Sequence, residues 1–403
     1  MELDRYPSTA FGEARRTPGR HGYVAYYPKP IPRKIELPGS MVRRLADAEA
    51  SLGRLAGVGR LVPNPELLIR PYLLREALSS TRIEGTQATI AEVYEIDAAG
   101  EAPNPDVEEV LNYIEAMRWA LSERQRLPIS SRMLCELHRR LMAGVRGRER
   151  APGELRKTQN WIGAPNSTVE TAEFVPPPAS ELPRLLTDWE RFANEDPEMP
   201  LLVQDALLHA QFETIHPFLD GNGRLGRLVL VLFLIERGRI EAPLLYLSSF
   251  LERDRQAYYR ALAAVQLSGD PIPWIELFLT AVDDQALDAV VRAERLVELQ
   301  QRYRAAAADM GTANGVALVD LICEHPLVTT RFVERRLGVS RPTVLRLLRA
   351  LEKRGVMRQV EPGARGQQRY EAQELMAVVT DEFMGQGPPQ VQAPTRASKR
   401  ASN

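Results

Sequence analysis

The sequence is poor in cysteine, lacks a long apolar segment and carries almost no net charge. Only two of its 403 residues are cysteines, Cys135 and Cys323, and their separation excludes a CxxC zinc site and a disulfide framework, which indicates a reducing compartment. The longest apolar run, residues 228–235, is shorter than the roughly 20 residues that span a bilayer. Residues 1–20 lack the apolar core of a signal peptide. We therefore expect a cytoplasmic protein with no membrane partner. The net charge of −1 does not identify the class of any other partner.

Most of the chain has the hydrophobic period of helices, which predicts a mainly α fold. With 44% hydrophobic and 26% charged residues, the composition is typical of a soluble globular protein. The length indicates roughly two to three domains. The predicted helices are residues 41–86, 107–124, a helix capped by Ser130, 181–194, 201–215 and 225–237, with further helices to about residue 308.

Two segments break the helical pattern. Residues 1–40 are rich in Pro, Gly and Tyr, which indicates an arm that is either extended and packed on a domain or partly disordered. Residues 151–178 combine turn residues with β-formers and predict a loop with a short β-hairpin.

Residues 311–375 predict a separate C-terminal unit. The run TTRFVERRLGV followed by SRPTVLRLLRALEKRGV indicates helix, turn, helix, with Gly338 in the turn and Ser340 as N-cap. A β-hairpin is predicted next, with Pro362 and Gly363 near its tip. The unit resembles a winged-helix domain. The tail, residues 376–403, is predicted to be disordered because of the composition of its last part.

The segment 216–227, HPFLDGNGRLGR, concentrates reactive side chains between two predicted helices. A helix start presents unpaired backbone N–H groups and the positive end of the helix dipole, which bind anions. Arg224 and Arg227 are three residues apart and can face one ligand. Asp220 is a carboxylate suited to Mg²⁺, and His216 is suited to taking a proton from a hydroxyl group. This combination predicts nucleotide-dependent transfer.

The glycines of this segment, Gly221, Gly223 and Gly226, also match the dinucleotide-binding pattern GxGxxG. That pattern works after a strand in a βαβ unit, whereas residues 201–215 have helical period and no βαβ pattern follows. We therefore reject a Rossmann site. Asn222 can cap the following helix or donate to a phosphate. Each residue alone has an ordinary structural explanation, which becomes improbable for all of them together.

The segment 216–227 matches the motif HPFx[D/E]GNGRxxR of the Fic family, and the resemblance covers roughly residues 60–280. It implies an α-helical Fic core with a short β-hairpin flap. The activity implied is transfer of AMP from ATP to a Ser, Thr or Tyr hydroxyl of a protein, with this protein itself among the candidate targets. By resemblance His216 is the general base and Asp220 holds Mg²⁺ on the α- and β-phosphates. The ATP-binding positions implied are Gly221, Asn222, Gly223, Arg224, Gly226 and Arg227. Family members that phosphorylate have Lys at the position of Gly223.

Residues 80–85, STRIEG, resemble the family's inhibitory motif [S/T]xxxE[G/N]. Ser80 and Glu84 share one helix face, and Gly85 can end that helix. The pattern alone favours a surface ion pair, but its position before the core motif matches one Fic class. The resemblance implies that Glu84 pairs with Arg227 and blocks the γ-phosphate. In some relatives the glutamate instead positions a water that removes AMP, and both roles stay open.

Other pieces also resemble the family. Residues 153–156 and 160–163 are similar to the lead into the flap, which aligns a target by β-augmentation, although an ordinary loop is the alternative. Gln211 is a candidate nucleotide contact or a structural residue. Residues 246–259 contain candidate contacts to the adenine base.

Residues 329–369 contain eleven Lys or Arg and three Glu, an excess of eight positive charges. Together with Arg341, Arg346 and Arg349 on or near the second helix, this charge predicts DNA binding, with protein docking or dimerisation as the alternative. A homodimer is expected from the resemblance and from this unit. The predicted domains are residues 1–100 with the inhibitory motif, 101–280 as catalytic core, 281–310 as linker helix, 311–375 and 376–403.

Three functions therefore remain open. The first is an AMP transferase inhibited by Glu84. The second is a DNA-binding regulator whose Fic domain senses nucleotide. The third is a Glu84-dependent enzyme that removes AMP.

Overall fold

A computed structural model describes residues 1–18, 22–61, 66–99, 103–145, 150–164, 166–362 and 367–380. The fold is mainly helical, as predicted. The helices are α1 Gly39–Leu61, α2 Glu66–Ile83, α3 Ile90–Ala99, α4 Pro105–Glu123, α5 Ser131–Leu141, α6 Leu182–Asn194, α7 Leu201–Ile215, α8 Asn222–Glu236, α9 Leu247–Arg253, α10 Arg255–Leu267, α11 Ile272–Ala308, α12 Ala313–Glu324, α13 Thr330–Leu337, α14 Arg341–Lys353 and α15 Gln373–Thr380. The strands are β1 Gly12–Arg16, β2 Val24–Pro28, β3 Leu327–Thr329, β4 Arg358–Val360 and β5 Arg369–Glu371. Among the helices described, none has the length and apolar character to cross a membrane.

Side-chain caps begin two of the helices: the cap of α5 at Ser130 was predicted, whereas α4 begins at Pro105, two residues before its predicted start. The Asn104 side chain accepts a hydrogen bond from Val107 N at 2.9 Å, and the Ser130 hydroxyl accepts one from Met133 N at 3.4 Å. The predicted start of α8 at residue 225 is wrong, since the helix begins at Asn222. Gly221 takes a left-handed conformation with φ of 74° and turns the chain into the helix three residues earlier than predicted.

The long helix α11 lies along α1 and also packs on α7, α9, α10 and α12. Its 37 residues, Ile272–Ala308, include all but the last two residues of the segment predicted as a linker helix, 281–310, and this part is packed against other helices. One continuous hydrophobic core joins the central helices to the C-terminal elements. The core continues because α11 has buried residues along its whole length, from Trp274 to Ala307.

The C-terminal elements follow the order α12, β3, α13, α14, β4, β5, and their sheet is antiparallel with strand order β3–β5–β4. Gly338 turns the chain between α13 and α14 with φ of 65°. Ser340 stands at the N-cap of α14, but its hydroxyl contacts Thr343 Oγ1 at 3.1 Å and makes no cap bond to the backbone. Gly363, predicted at the hairpin tip, lies outside the described residues.

The tail predicted to start at residue 376 begins instead as helix α15. Its apolar residues pack against α11, and two arginines bind its last carbonyl groups. Arg75 Nη1 donates to Val379 O at 2.6 Å, and Arg292 Nη1 donates to Val378 O. Cations are favourable at the carboxyl end of a helix, and this stabilises α15. Residues 381–403 lie outside the described part of the chain.

The N-terminal arm is a packed hairpin of β1 and β2, in which Gly12 lies opposite Pro28. Tyr26 N donates to Val175 O at 2.9 Å, so the arm contacts residues 151–178, which were predicted to contain the β-hairpin flap and are called the flap segment below. Among the described residues of that segment, the predicted β-hairpin is reduced to a single antiparallel bridge between Ile162 and Phe174. The arm and the flap segment share a small apolar cluster around Tyr26 and Phe174, so the flap is held by packing where ladder hydrogen bonds are few.

Candidate active site

The loop between α7 and α8 is fixed by hydrogen bonds to its own backbone. His216 ends α7 in the left-handed region, with φ of 48° and ψ of 61°, which is strained for a non-glycine residue. Asn222 Oδ1 accepts from Phe218 N, and Asn222 Nδ2 donates to Phe218 O, both at 2.9 Å. The Asn222 side chain thus folds back on the loop and does not cap α8.

Two residues of the flap segment hold the same loop from outside. Arg156 Nε donates to His216 O at 2.9 Å, and Arg156 N donates to Pro217 O at 3.0 Å. Asn160 Nδ2 donates to Phe218 O at 2.8 Å and to His216 O at 3.2 Å. Burial lowers the pKa of Arg156 to about 10, which leaves it charged at neutral pH. The sequence placed both residues near the flap without indicating this role.

His138 on α5 is a further support that the sequence analysis missed. Gly153 N donates to His138 Nδ1 at 2.8 Å, so the proton of the neutral ring lies on Nε2, which is 2.9 Å from Asp220 O. The ring stacks on Phe218 at a centroid distance of 4.0 Å. Burial lowers the pKa of His138 to about 4, so the ring is neutral at pH 7. The sequence did offer one indication of this role, because His138 lies on the apolar face of the predicted helix that follows Ser130.

The His216 side chain is held neutral and close to a carboxyl group. Burial, and then the charge of Arg156, lower the pKa of His216 to about 4. His216 Nδ1 lies 3.8 Å from Glu213 Oε2 on α7. Burial raises the pKa of Glu213 to about 7, against the influence of Arg227. A neutral imidazole has the lone pair that a general base needs.

Arg224 and Arg227 are both buried, and each meets a carboxylate from another part of the fold. Arg224 Nη1 donates to Glu109 Oε2 on α4 at 2.8 Å, and its Nη2 lies 3.7 Å from Asp220 Oδ1. Glu109 was not among the predicted site residues. The two arginines therefore have separate partners, although both project from the first turns of α8.

Arg227 forms the ion pair that the resemblance implies. Its Nη2 donates to Glu84 Oε1 at 2.7 Å and to Ser80 O at 2.8 Å, and its Nε donates to the Ser80 hydroxyl at 3.1 Å. Burial opposes the charge of Arg227, but Glu84 outweighs it and raises the pKa of the guanidinium. In turn, burial works against ionisation of Glu84, and Arg227 holds its pKa below the usual value.

Gly223 and Gly226 leave space for two different glutamates. A Cβ atom at 223 would collide with Glu84 Oε1 and would lie 2.9 Å from Arg227 Nη1. Glu84 therefore covers the first turn of α8, where the unpaired N–H groups would attract an anion. A Cβ atom at 226 would lie 2.7 Å from Glu213 Oε1, so this glycine permits close packing of α7 on α8.

The remaining predicted contacts come from elements outside the loop. Gln211 is buried and its Nε2 donates to Lys29 O at 3.0 Å, which ties α7 to the N-terminal arm. Within residues 246–259, Tyr246 is buried and its hydroxyl donates to Asp288 Oδ2 at 2.6 Å. Tyr259 is 49% exposed, and after burial the charge of Glu84 is the main influence that raises its pKa to about 12. Tyr259 is therefore the accessible aromatic residue beside Glu84.

Asp220 is the accessible carboxylate of the loop. Its side chain is 47% exposed, and its Oδ1 accepts a hydrogen bond from Gly221 N at 2.6 Å. Across the described ranges, no group of three or more His, Cys, Asp or Glu residues is close enough to hold a metal ion. A lone carboxylate beside an anion site fits Mg²⁺ that is bound mainly by substrate phosphates.

Two family models and several known proteins match parts of this chain. Residues 42–122 match the family model described as Fic/DOC family N-terminal, and residues 128–234 match the model described as Fic/DOC family. The protein adenylyltransferase Fic of Drosophila grimshawi is 29% identical over 216 residues, which cover 52% of this chain and 41% of the relative. The Drosophila yakuba protein of the same name is 30% identical over 216 residues, which cover 52% of this chain and 40% of the relative.

A solved structure has a similar fold over most of the chain. The crystal structure of a Fic family protein from Desulfovibrio desulfuricans aligns with a TM-score of 0.55 at 23% identity and covers 90% of this chain and 100% of that one. The chain spans only about two fifths of the length of the Drosophila relatives, so their whole-protein activity does not transfer directly. Residues 42–122 and 128–234 thus match two Fic/DOC family models, and the solved structure shows that the fold is similar.

Proposed function

We propose that this protein transfers AMP from ATP to a hydroxyl group of a protein, with His216 as the general base. The observation that carries the proposal is the convergence of a neutral, partly buried imidazole, an accessible carboxylate and a glycine-lined helix start within one short loop. The names of the Drosophila relatives, protein adenylyltransferase Fic, support the same reaction. The relatives' names also support ATP as the nucleotide.

The phosphates of ATP would bind at the start of α8. The N–H groups of its first turn, with Gly221 and Gly223, would receive the phosphate oxygens. Arg224 and Arg227 would bind the β- and γ-phosphates by charge-assisted hydrogen bonds. Asp220 would hold Mg²⁺, which neutralises charge on the phosphates when bound.

The transfer step then needs one base and one leaving group. His216 accepts the proton of the target hydroxyl, and the hydroxyl oxygen forms a bond to the α-phosphorus. The bond from the α-phosphorus to the bridging oxygen breaks, and pyrophosphate leaves. Donors that are already fixed by the fold stabilise the developing charge, which is usually the largest contribution to such catalysis.

The inhibitory role of Glu84 is the second part of the proposal. Its carboxylate contacts the guanidinium that the γ-phosphate needs and covers the first turn of α8. ATP would then bind without its γ-phosphate in the productive position. Removal of AMP with the help of Glu84 is the competing reaction, and the Glu84 side chain is 35% exposed, which would allow contact with a water molecule.

The flap segment would align the target. Trp161 and Ile162 are 43% and 40% exposed. Ile162 directs its N–H and C=O groups to Phe174, so the backbone groups of residues 161 and 163 face the other edge, as in any antiparallel pair. A target segment could add there as an extra strand.

A second function is proposed for residues 311–375, which we assign as a winged helix-turn-helix. Arg341, Arg346 and Arg349 are exposed on α14, the second helix of the pair. Such charge on a helix that can enter a major groove favours DNA binding. Docking of a protein partner, including a second copy of this chain, is the alternative.

The test of the AMP transfer is incorporation of label into protein from ATP labelled at its α-phosphorus, with Mg²⁺ and added cell lysate. The wild type, His216→Ala, Glu84→Gly and the double variant are compared. Label should increase in Glu84→Gly and disappear whenever His216 is replaced. Label that arises only from the γ-phosphate would identify phosphoryl transfer and contradict the proposal. Loss of AMP from a modified protein in a Glu84-dependent manner would favour the removal reaction.

A further inference from the structure

A cavity of about 760 Å³ lies behind helix α2, away from the catalytic loop. It is bounded by α2, the first residues of α3, the end of α9 and the last residue of α15. Three arginines and one glutamate line it, together with hydroxyl groups from Ser79 and Ser249, which are 3.0 Å apart. The lining is therefore positively charged and rich in donors, as expected for an anion site.

The cavity and the catalytic loop lie on opposite faces of α2. The cavity residues Arg75, Leu78, Ser79 and Arg82 follow the spacing i, i+3, i+4, i+7, which is one face of a helix. Ser80, which contacts Arg227 of the catalytic loop, lies on the other side of the helix. A ligand in the cavity would therefore act on the helix that leads into Glu84.

Arg82 connects the cavity to the segment that carries Glu84. Its Nε and Nη2 donate to Ala88 O at 3.2 and 3.0 Å, which closes the turn that contains Glu84 and Gly85. Other hydrogen bonds also hold this turn: Glu84 N and Gly85 N donate to Thr81 O and Arg82 O at 3.0 Å, and Thr86 N donates to Thr81 O at 3.3 Å. Gln87 N donates to Asp106 Oδ2 at 2.8 Å, so Arg82 supplies two of several bonds across the turn. Arg82 therefore lines the cavity and also donates two hydrogen bonds across the turn that carries Glu84.

We propose that this cavity binds a small phosphorylated molecule, and that binding draws Arg82 away from Ala88 and weakens the hold of Glu84 on Arg227. The inference concerns regulation of the proposed transferase and so rests on that function. Phosphate oxygens accept from the same guanidinium N–H groups that Ala88 O uses, and they accept more strongly because they are charged. Without the hydrogen bonds from Arg82 the turn loosens, and Arg227 becomes available to ATP.

The chemistry of the lining defines the class of ligand. Arg82 and the hydroxyl groups of Ser79 and Ser249 suit a phosphate group. Arg75 and Arg253 are already bound to Val379 O and Asp284, so they contribute positive charge more than new bonds. Leu78 and Ile90 offer apolar contact to an organic body attached to the phosphate.

The first experiment measures pyrophosphate binding to the full chain by calorimetry. Arg82→Gln is compared with Arg54→Gln, a matched charge removal at an exposed position of α1 outside the cavity. Loss of one charge-assisted contact should weaken binding about tenfold in Arg82→Gln and leave Arg54→Gln like the wild type. Equal binding to all three proteins would place the anion elsewhere, the start of α8 included, and would overturn the proposal.

A second pair of variants keeps the inference testable if Arg82→Gln does not fold. Ser79→Glu introduces a carboxylate into the cavity in place of the ligand, and Ser79→Gln is its uncharged control. Backbone hydrogen exchange over residues 84–89 should become several-fold faster in Ser79→Glu than in Ser79→Gln. Equal exchange in the two variants would contradict the coupling. Neither measurement needs catalysis, so a failed labelling assay and a failed cavity site are distinguishable.

Discussion

Two regions of this molecule depend on arginine, and they use it in opposite ways. In the catalytic loop and α8, Arg224 and Arg227 are buried, and each contacts a carboxylate from a distant part of the chain. On α14, Arg341 and Arg346 are exposed to solvent, as is Arg349. A buried charge is tolerated only with a fixed partner, whereas an exposed charge needs none. The first region is therefore suited to placing phosphates at defined positions, and the second to attracting a charged partner without a defined geometry.

The largest effect is expected from removing the partner of a buried arginine. Glu109→Gln leaves Arg224 without its main carboxylate and should lower the free energy of unfolding by about 3–5 kcal/mol. The exposed counterpart, Arg346→Gln, should change it by less than about 0.5 kcal/mol. Chemical denaturation of both variants beside the wild type measures the contrast. Similar changes in the two variants would remove the proposed distinction between the regions.

A buried base without a carboxylate partner should depend on pH in a predictable direction. The pKa of His138 is about 4 in the folded state, below its usual value of about 6.5, so the unfolded chain takes up the proton first. Its contribution is thus complete above pH 6.5 and declines as the pH falls toward 4. The stability difference between wild type and His138→Gln should shrink by about 2 kcal/mol from pH 7.5 to 5. A stability difference that does not change with pH would contradict a lowered pKa of His138 in the folded protein.

Breaking the Glu84–Arg227 ion pair should increase AMP incorporation strongly while the protein stays folded. We expect Glu84→Gly to increase AMP incorporation at least about tenfold. In this variant Glu84 no longer competes with the γ-phosphate for Arg227, and a gain of about 1.4 kcal/mol in phosphate binding corresponds to that factor. Arg227 keeps its bonds to Ser80, so the fold should persist. Thermal unfolding and label incorporation are measured on the same preparations. Gly223→Lys tests the space that Glu84 occupies, and it should be tolerated better together with Glu84→Gly than alone.

The smallest structural effect is expected on α14. Replacing Arg341, Arg346 and Arg349 together by Gln should leave stability nearly unchanged because all three are exposed. If they contact DNA phosphates, the slope of log binding constant against log salt should become less steep by about 3. An unchanged slope, with loss of a protein partner or of self-association instead, would favour the docking alternative.

Local features of the sequence were sufficient to predict much of the fold. Helix α7 was predicted with its observed bounds, and the caps at Asn104 and Ser130 act within three residues of the chain. Periodicity and capping depend on neighbouring residues, so they can be read without knowledge of packing. The segment 216–227, which we propose to be catalytic, was likewise recognisable because its reactive groups are contiguous.

What the sequence alone determined, then, is the mainly helical fold and the position of the reactive loop. The tertiary structure decided the partners of its side chains: Glu109 meets Arg224 across 115 residues of chain, and Asn222 folds back on the loop instead of capping α8. It also placed helix α15 where a tail was predicted, and the last carbonyl groups of α15 bind arginines from α2 and α11. Buried charges and polar groups take partners according to how the helices pack, and such long-range pairings leave no periodic signal in the sequence.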